Sequence, residues 1–239
     1  TPDDCRHFWP PEVVAGEGCA CSVCITPESH NSGALTIQMG IDQVAEAGGG
    51  TVCLDPGRYV LAEPVRMHRL FGVTLKGHGV TTLLSWMGEG AAVEIAGCLD
   101  VQVENLGIVA RPKPPDSGGE APTAYGLLAQ HTAALALRRL AILVVAEGKD
   151  RQDHGIALRG LAIGTKIEEC LIAAPFGIGS LLLAGSSGAT EAIEMEVQYL
   201  GLAEVRLIDN ILFCGRVALR LGGLAIGIAG TTIARNLFF

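Results

Sequence analysis

Four cysteines crowd the N-terminal end of this 239-residue chain: Cys5, Cys19, Cys21 and Cys24, with His7 and His30 close by. Their spacing reads C-x13-C-x-C-x2-C. Thiolates and imidazoles suit tetrahedral zinc, and four of them fill a structural site with no position left open for catalysis. Either histidine could replace one thiol. Two disulfides are the rival reading, favoured if the protein lives outside the cell, and free thiols are the third. The segment carries Pro10-Pro11 and little apolar periodicity, so it needs a staple. The other cysteines, Cys53, Cys98, Cys170 and Cys214, stand singly among apolar positions and read as small buried hydrophobes.

The densest ionisable group elsewhere is Lys149, Asp150, Arg151, Asp153 and His154. Closely spaced carboxylates such as Asp150 and Asp153 offer the hard oxygen ligands that Ca²⁺ prefers. The plain alternative is a solvated loop with a normal charge mix. His78 lies in Gly77-His78-Gly79 and reads as a turn residue. The chain has no Walker-type glycine loop, no G-x-S-x-G and no H-E-x-x-H. Its net charge of −8 and the lack of a Lys/Arg stripe argue against a nucleic-acid surface. The longest apolar stretch, near 221–230, is well short of the ~20 residues of a membrane-spanning helix. The acidic start, Thr1 to Pro11, has no apolar signal-peptide core.

The elements that position these groups repeat. Five segments, 101–110, 135–144, 165–174, 205–214 and 231–239, each read as a short alternating strand, a two-residue break and another strand. Aligned, they give one column of Val103, Leu137, Ile167, Leu207 and Ile233. A second holds Leu106, Leu140, Cys170, Asn210 and Asn236, and a third Ile108, Ile142, Ile172, Leu212 and Phe238. The segment 73–80 fits one step earlier, with Leu75, His78 and Val80. A further strand precedes most units, at 92–97, 126–131, 155–160 and 217–222. Alternation sends one face to a core and the other to solvent. The distance between equivalent positions varies while the strands stay short, which is the mark of loops inserted into a stacked repeat. Ahead of the repeats, Ile37, Ile41 and Val44 follow helical spacing, with Thr36 as cap and Gly48–Gly50 as stop. That helix would cover the open end of the stack and its strand edges.

The helix, the run "GGGTVCLDPGRYVLAEPV" and then "VTLKGHG" resemble the opening of a right-handed parallel β-helix of the pectate-lyase-like superfamily. The resemblance covers residues 33–239. It implies an all-β solenoid with three short strands per rung and an N-terminal capping helix, preceded by a Cys-rich segment at 1–32. The last residues read as a strand, so the chain is expected to be a piece of a longer protein. Asn210 and Asn236 resemble the family's asparagine ladder. The resemblance also implies a substrate path along the outer face of the first strands, walled by the loops 111–125 and 147–154. The outward positions there are Glu94, Gln130, Arg159 and Arg220, with Arg151 beside them in a loop. The leading expectation is a structural or binding module, tailspike-like or surface-associated, that engages a carbohydrate polymer through Glu94, Gln130 and Arg151. By the same analogy, a homotrimer or a place in a larger assembly is the expected state. The rival is a polysaccharide lyase acting on a uronate polymer, with Arg159 or Arg220 as base, His154 nearby, and Asp150 and Asp153 holding Ca²⁺. A hydrolase is disfavoured because the repeats lack an Asp-Asp pair and glycoside hydrolysis needs two facing carboxylates. A ligand-free assembly scaffold is the third reading.

Overall fold

The computed structural model describes residues 21–112, 123–145, 153–181, 202–220 and 228–239. The N-terminal elements are β1 (Val23–Ile25), α1 (Pro27–Asn31), α2 (Ile37–Glu46), β2 (Gly50–Leu54), β3 (Gly57–Leu61) and β4 (Val65–His68). The central ones are β5 (Val73–Gly88), β6 (Gly90–Ala96), β7 (Gln102–Pro112), β8 (Ala124–Ala133), β9 (Ala136–Val144) and β10 (His154–Ile163). There follow β11 (Lys166–Glu168), β12 (Leu171–Leu181), β13 (Leu202–Ala203), β14 (Arg206–Ile208) and β15 (Ile211–Arg220). Last come β16 (Ile228–Ala229), β17 (Thr232–Ala234) and β18 (Leu237–Phe238).

The named pairings between these strands are parallel, and each strand pairs with ones further along the chain, as stacking coils require. Most pairings fall into three stacks, and a short fourth line joins the ends of β8 and β10 to β13 and β16. The first runs from β1 and β2 through the starts of β5, β7 and β9 to β11, β14 and β17. The second runs from β3 through the later halves of β5, β7 and β9 to the starts of β12 and β15, and then β18. The third joins β4, β6, β8, β10 and the ends of β12 and β15. Among the described residues no helix is long and apolar enough to cross a membrane.

The core follows from the two-residue pleat. Val103 pairs with Leu137, Leu137 with Ile167, Ile167 with Leu207 and Leu207 with Ile233, as the aligned sequence predicts. Ile108, Ile142, Ile172, Leu212 and Phe238 are likewise in register. One continuous apolar cluster runs through these positions as far as Leu207 and Leu212, the helix residues Ile37, Ile41 and Val44 join it, and Ile233 and Phe238 on the last coil are exposed. Thr36 caps α2 through Oγ1, which accepts from the Met39 N–H at 3.2 Å. Gly40 sits where the helix meets β1, and a Cβ there would fall 2.6 Å from Ile25 Cδ1.

The asparagine pair behaves as a ladder. Asn210 is fully buried. Its Oδ1 accepts from the Cys170 N–H at 3.0 Å, and its Nδ2 donates to Ile167 O and Asn236 Oδ1, each at 2.9 Å. Asn236 Oδ1 also accepts from the Asn210 N–H at 2.9 Å, and Asn236 Nδ2 donates to Leu207 O at 2.8 Å. Where the ladder position holds Cys170, the thiol reaches Glu168 O at 3.3 Å instead. The residue before each rung is left-handed: Asn105, Arg139, Glu169, Asp209 and Arg235 have φ between 50° and 56°.

Two expectations are corrected. His78 does not face inward; it is exposed within β5, and its N–H donates to Thr82 Oγ1 at 2.9 Å. The register of β5 shifts twice, after Lys76 and after Gly79, so Leu84 takes the inward place expected of Val80, which is exposed. Cys53 is not a lone core thiol. It is bonded to Cys21 across a sequence separation of 32 residues.

Candidate functional site

The third stack carries the polar cluster that the sequence singles out. Strands β8 and β10 start alike, with a ring followed by glycine. Tyr125 pairs in register with His154, and His154 with the backbone of Phe176. The glycines that follow face a packed interior. A Cβ on Gly126 would lie 2.3 Å from Ile142 Cγ2, and one on Gly155 would lie 2.2 Å from Ile172 Cγ2. Only hydrogen fits there, so the ring positions are set against the coil wall. The rings of Tyr125 and His154 stack with centroids 5.7 Å apart and planes 13° from parallel, an offset arrangement that suits aromatic quadrupoles.

Arg159 completes the cluster. Its Nη2 donates to Tyr125 Oη at 2.6 Å, and its Cζ lies 5.2 Å from the Tyr125 ring centroid. The phenol thus holds the guanidinium both by its hydroxyl and by its ring face. Gln130 is the register partner of Arg159 on the neighbouring coil, and both are half-buried. Arg159 Nε is buried and makes no hydrogen bond among the described residues. Tyr125 also packs with Ala91, Leu128 and Ala157, a small apolar group on the outer side of the stack.

The expected single outward column is two columns. Gln130 and Arg159 share one. Glu94 lies two residues away along the strand, in register with Leu128, and Arg220 lies in the line of Ala157 and Gly179. A slip of two residues keeps a side chain on the same face, so alternation alone cannot separate the columns. Glu94 Oε2 lies 3.7 Å from both Arg66 Nε and His68 Nε2. Asp153 is fully buried, and its Oδ1 accepts from the Ala124 N–H at 2.7 Å. It ties the entry of β10 to the entry of β8. His154 is buried beside it. Asp150 and Arg151 lie outside the described residues. Among the described residues no group of three or more His, Cys, Asp or Glu side chains converges as a metal site would require.

At the N-terminal end, the disulfide gives Cys21 a covalent partner, so in this state it has no thiolate for zinc. Cys24 is an exposed free thiol whose register partner is Cys53. Cys5, Cys19 and His7 lie outside the described residues. His30 uses both ring nitrogens: Nδ1 accepts from the Ile37 N–H at 3.1 Å, and Nε2 donates to Val60 O at 3.3 Å. Burial holds its imidazolium form below the usual range, against a smaller opposing effect of the Val60 carbonyl. These contacts tie α1 to α2 and β3.

Tyr125 is the residue that attention to ionisable groups missed. Its signal is the recurrence of a ring before glycine in "YGLLAQ", "HGIALR" and "FGIGSL".

No family model matches the sequence, and no curated protein matches it. Among solved structures, the chain is similar to the A-module of the Azotobacter vinelandii mannuronan C-5 epimerase AlgE4. The two are 12% identical with a TM-score of 0.30, over 85% of this chain and 92% of that one. The AlgE6 A-module from the same organism is also 12% identical, with a TM-score of 0.24 over 85% and 94%. The catalytic domain of a GH87 α-1,3-glucanase, in complex with tetrasaccharides, is 9% identical with a TM-score of 0.26, over 95% of this chain and 67% of that one. Likenesses this remote carry no inference about activity. The chain's own strand pairings form a parallel-stranded stack, consistent with a β-helix.

Proposed function

We propose that this chain is a right-handed, three-sided β-helix that binds carbohydrate along the outer surface of its third stack. The observation that carries the reading is the guanidinium of Arg159, held on Tyr125 at 2.6 Å with Gln130 in register beside it. A guanidinium presents five donors in a fixed fork and matches a carboxylate bidentately. One nitrogen of that fork binds the phenol, which fixes the direction of the guanidinium. The Gln130 amide adds a donor and an acceptor at the ~4.8 Å spacing of neighbouring strands. Such a set suits an acidic polysaccharide, whose hydroxyls and carboxylates recur along an extended chain. Glu94, held between Arg66 and His68 on the next coil, would meet hydroxyls beyond the cation. The Cys21–Cys53 disulfide supports an oxidising, extracellular setting.

The test is calorimetric titration with uronate oligosaccharides of mixed length, using Arg159→Ala and Gln130→Ala beside the unaltered protein. Binding should strengthen with oligomer length, and Arg159→Ala should weaken it by roughly tenfold or more. No binding to any uronate oligomer, or binding indifferent to both substitutions, would sink the reading.

A further inference from the structure

The outer surface of the second stack differs from the other two. Its outward positions, coil by coil, begin with Val60, then Leu83, Ser85 and Met87, then Gly107 and Val109. They continue with Ala141 and Leu143, then Leu171 and Ala173, then Ile211 and Phe213, and end at Leu237 and Phe239. Serine is the one uncharged polar residue here; Arg58, in register with Leu83, donates from Nη2 to Ser85 Oγ at 3.0 Å, and Arg111 is in register with Met87. Several of these side chains are exposed among the described residues. Val60 is 55% exposed, Met87 69%, Leu143 43%, Phe213 47% and Phe239 66%. Phe213 and Phe239 stack on each other with centroids 4.8 Å apart. By contrast, the first stack presents Lys76, Glu104, Arg138 and Glu168 in one outward line, joined as Lys76–Glu104 at 3.3 Å and Arg138–Glu168 at 3.0 Å.

The apolar face is too large to be incidental. Seven strands at ~4.8 Å spacing extend it to about 29 Å, and three to five residues across give roughly 10–16 Å. The projected area is therefore about 300–450 Å², at the level where contiguous apolar surface marks an interaction site. One long edge is bordered by charge: Arg139 bonds Glu104 at 2.9 Å and Asn105 at 2.6 Å, and Arg235 bonds Asp209 at 2.6 Å. An apolar centre beside a polar rim is the usual anatomy of a protein interface.

We infer that this face packs against the same face of a second copy of the chain, in a two-fold symmetric pair. Three observations favour a copy over another occupant. The face has the same ~4.8 Å corrugation on both copies, so its ridges and grooves match themselves when two sheets pack about 10 Å apart. Two such faces with their side-chain relief bury on the order of 1,000 Å², the lower bound for a stable interface. Each chain carries a net charge of −8, yet the face holds no acidic residue and its charges are Arg58 and Arg111. Face-to-face packing turns the charged line of the first stack away from the contact and leaves the carbohydrate surface of the third stack open.

The test is sedimentation equilibrium of the full chain from about 1 to 100 µM, with Leu143→Lys and Phe213→Glu as separate variants. Both side chains are exposed, so circular dichroism and the melting curve should be unchanged. The unaltered protein should form a dimer, and each variant should weaken association by roughly 100-fold, because a two-fold contact counts each change twice. A monomer at every concentration overturns the inference, as does a dimer that survives both substitutions. A monomer that instead co-sediments with neutral phosphatidylcholine vesicles, and loses this in Leu143→Lys, also overturns it and assigns the face to a lipid surface.

Discussion

Asn210→Leu puts the ladder to a direct test, because Leu106 and Leu140 already occupy the equivalent corner on earlier coils. By apolar pattern alone the change should be harmless or better. The hydrogen bonds say otherwise. Losing the amide strips the Cys170 N–H of its acceptor at 3.0 Å and Ile167 O of its donor at 2.9 Å. Asn236 Oδ1 keeps the Asn210 N–H as donor, so two main-chain groups are left without these partners. Each buried orphan costs about 1–3 kcal/mol, and the leucine's extra apolar burial returns about 1–2 kcal/mol. The net loss should be about 2–3 kcal/mol. Urea unfolding followed by circular dichroism would show it as a lower midpoint at constant slope. Asn210→Asp keeps the shape but replaces the donor with a second oxygen facing Ile167 O and Asn236 Oδ1. It should cost more at neutral pH than Asn210→Leu. A midpoint for Asn210→Leu that matches the unaltered protein within about 0.5 kcal/mol would refute the argument.

Other expectations follow from the same contacts. Untreated protein should yield a Cys21–Cys53 cross-linked peptide, and Cys53→Ser should lower stability by about 3–4 kcal/mol on the loop-closure estimate for 32 residues; a peptide map with both thiols free would contradict it. Brief alkylation at pH 8 should label exposed Cys24 and spare Cys170, which is buried with its thiol pushed up to about 12 by desolvation; mass spectrometry reads the outcome, and rapid labelling of Cys170 would count against the packing described. His30 is held neutral when folded, so unfolding takes up a proton. Its contribution is therefore complete above the ordinary value of 6.5 and is lost as pH falls below it toward the depressed folded value. Melting curves should show an acid-side decline that is shallower in His30→Gln, and identical slopes would exclude the role.

The inward columns were legible because the pleat fixes them. Val103, Leu137, Ile167, Leu207 and Ile233 could be aligned by alternation alone, and the register agrees. Features that depend on position along the strand were not. His78 and Val80 were misplaced because β5 carries two register shifts that no local signal announces. Glu94 and Arg220 fell out of line with Arg159 by two residues, a slip that leaves the hydrophobic pattern unchanged. The partner of Cys21 could not be read, since Cys53 comes beside it only when β1 pairs with β2. Tyr125 became visible only through the stacked ring of His154 and the bond to Arg159.

The left-handed corner residues bear on how this sequence can change. Arg139 faces Glu104 from the coil before and Glu169 from the coil after, at 2.9 and 3.5 Å. Arg235 faces Asp209 across a similar step. Such residues cannot vary one at a time without setting like charges side by side. Arg139→Glu alone would oppose two carboxylates, and restoring balance would require replacements some thirty positions away in both directions. The corner should therefore evolve by coupled exchanges between coils, and homologous chains should carry reversed pairs there more often than single reversals.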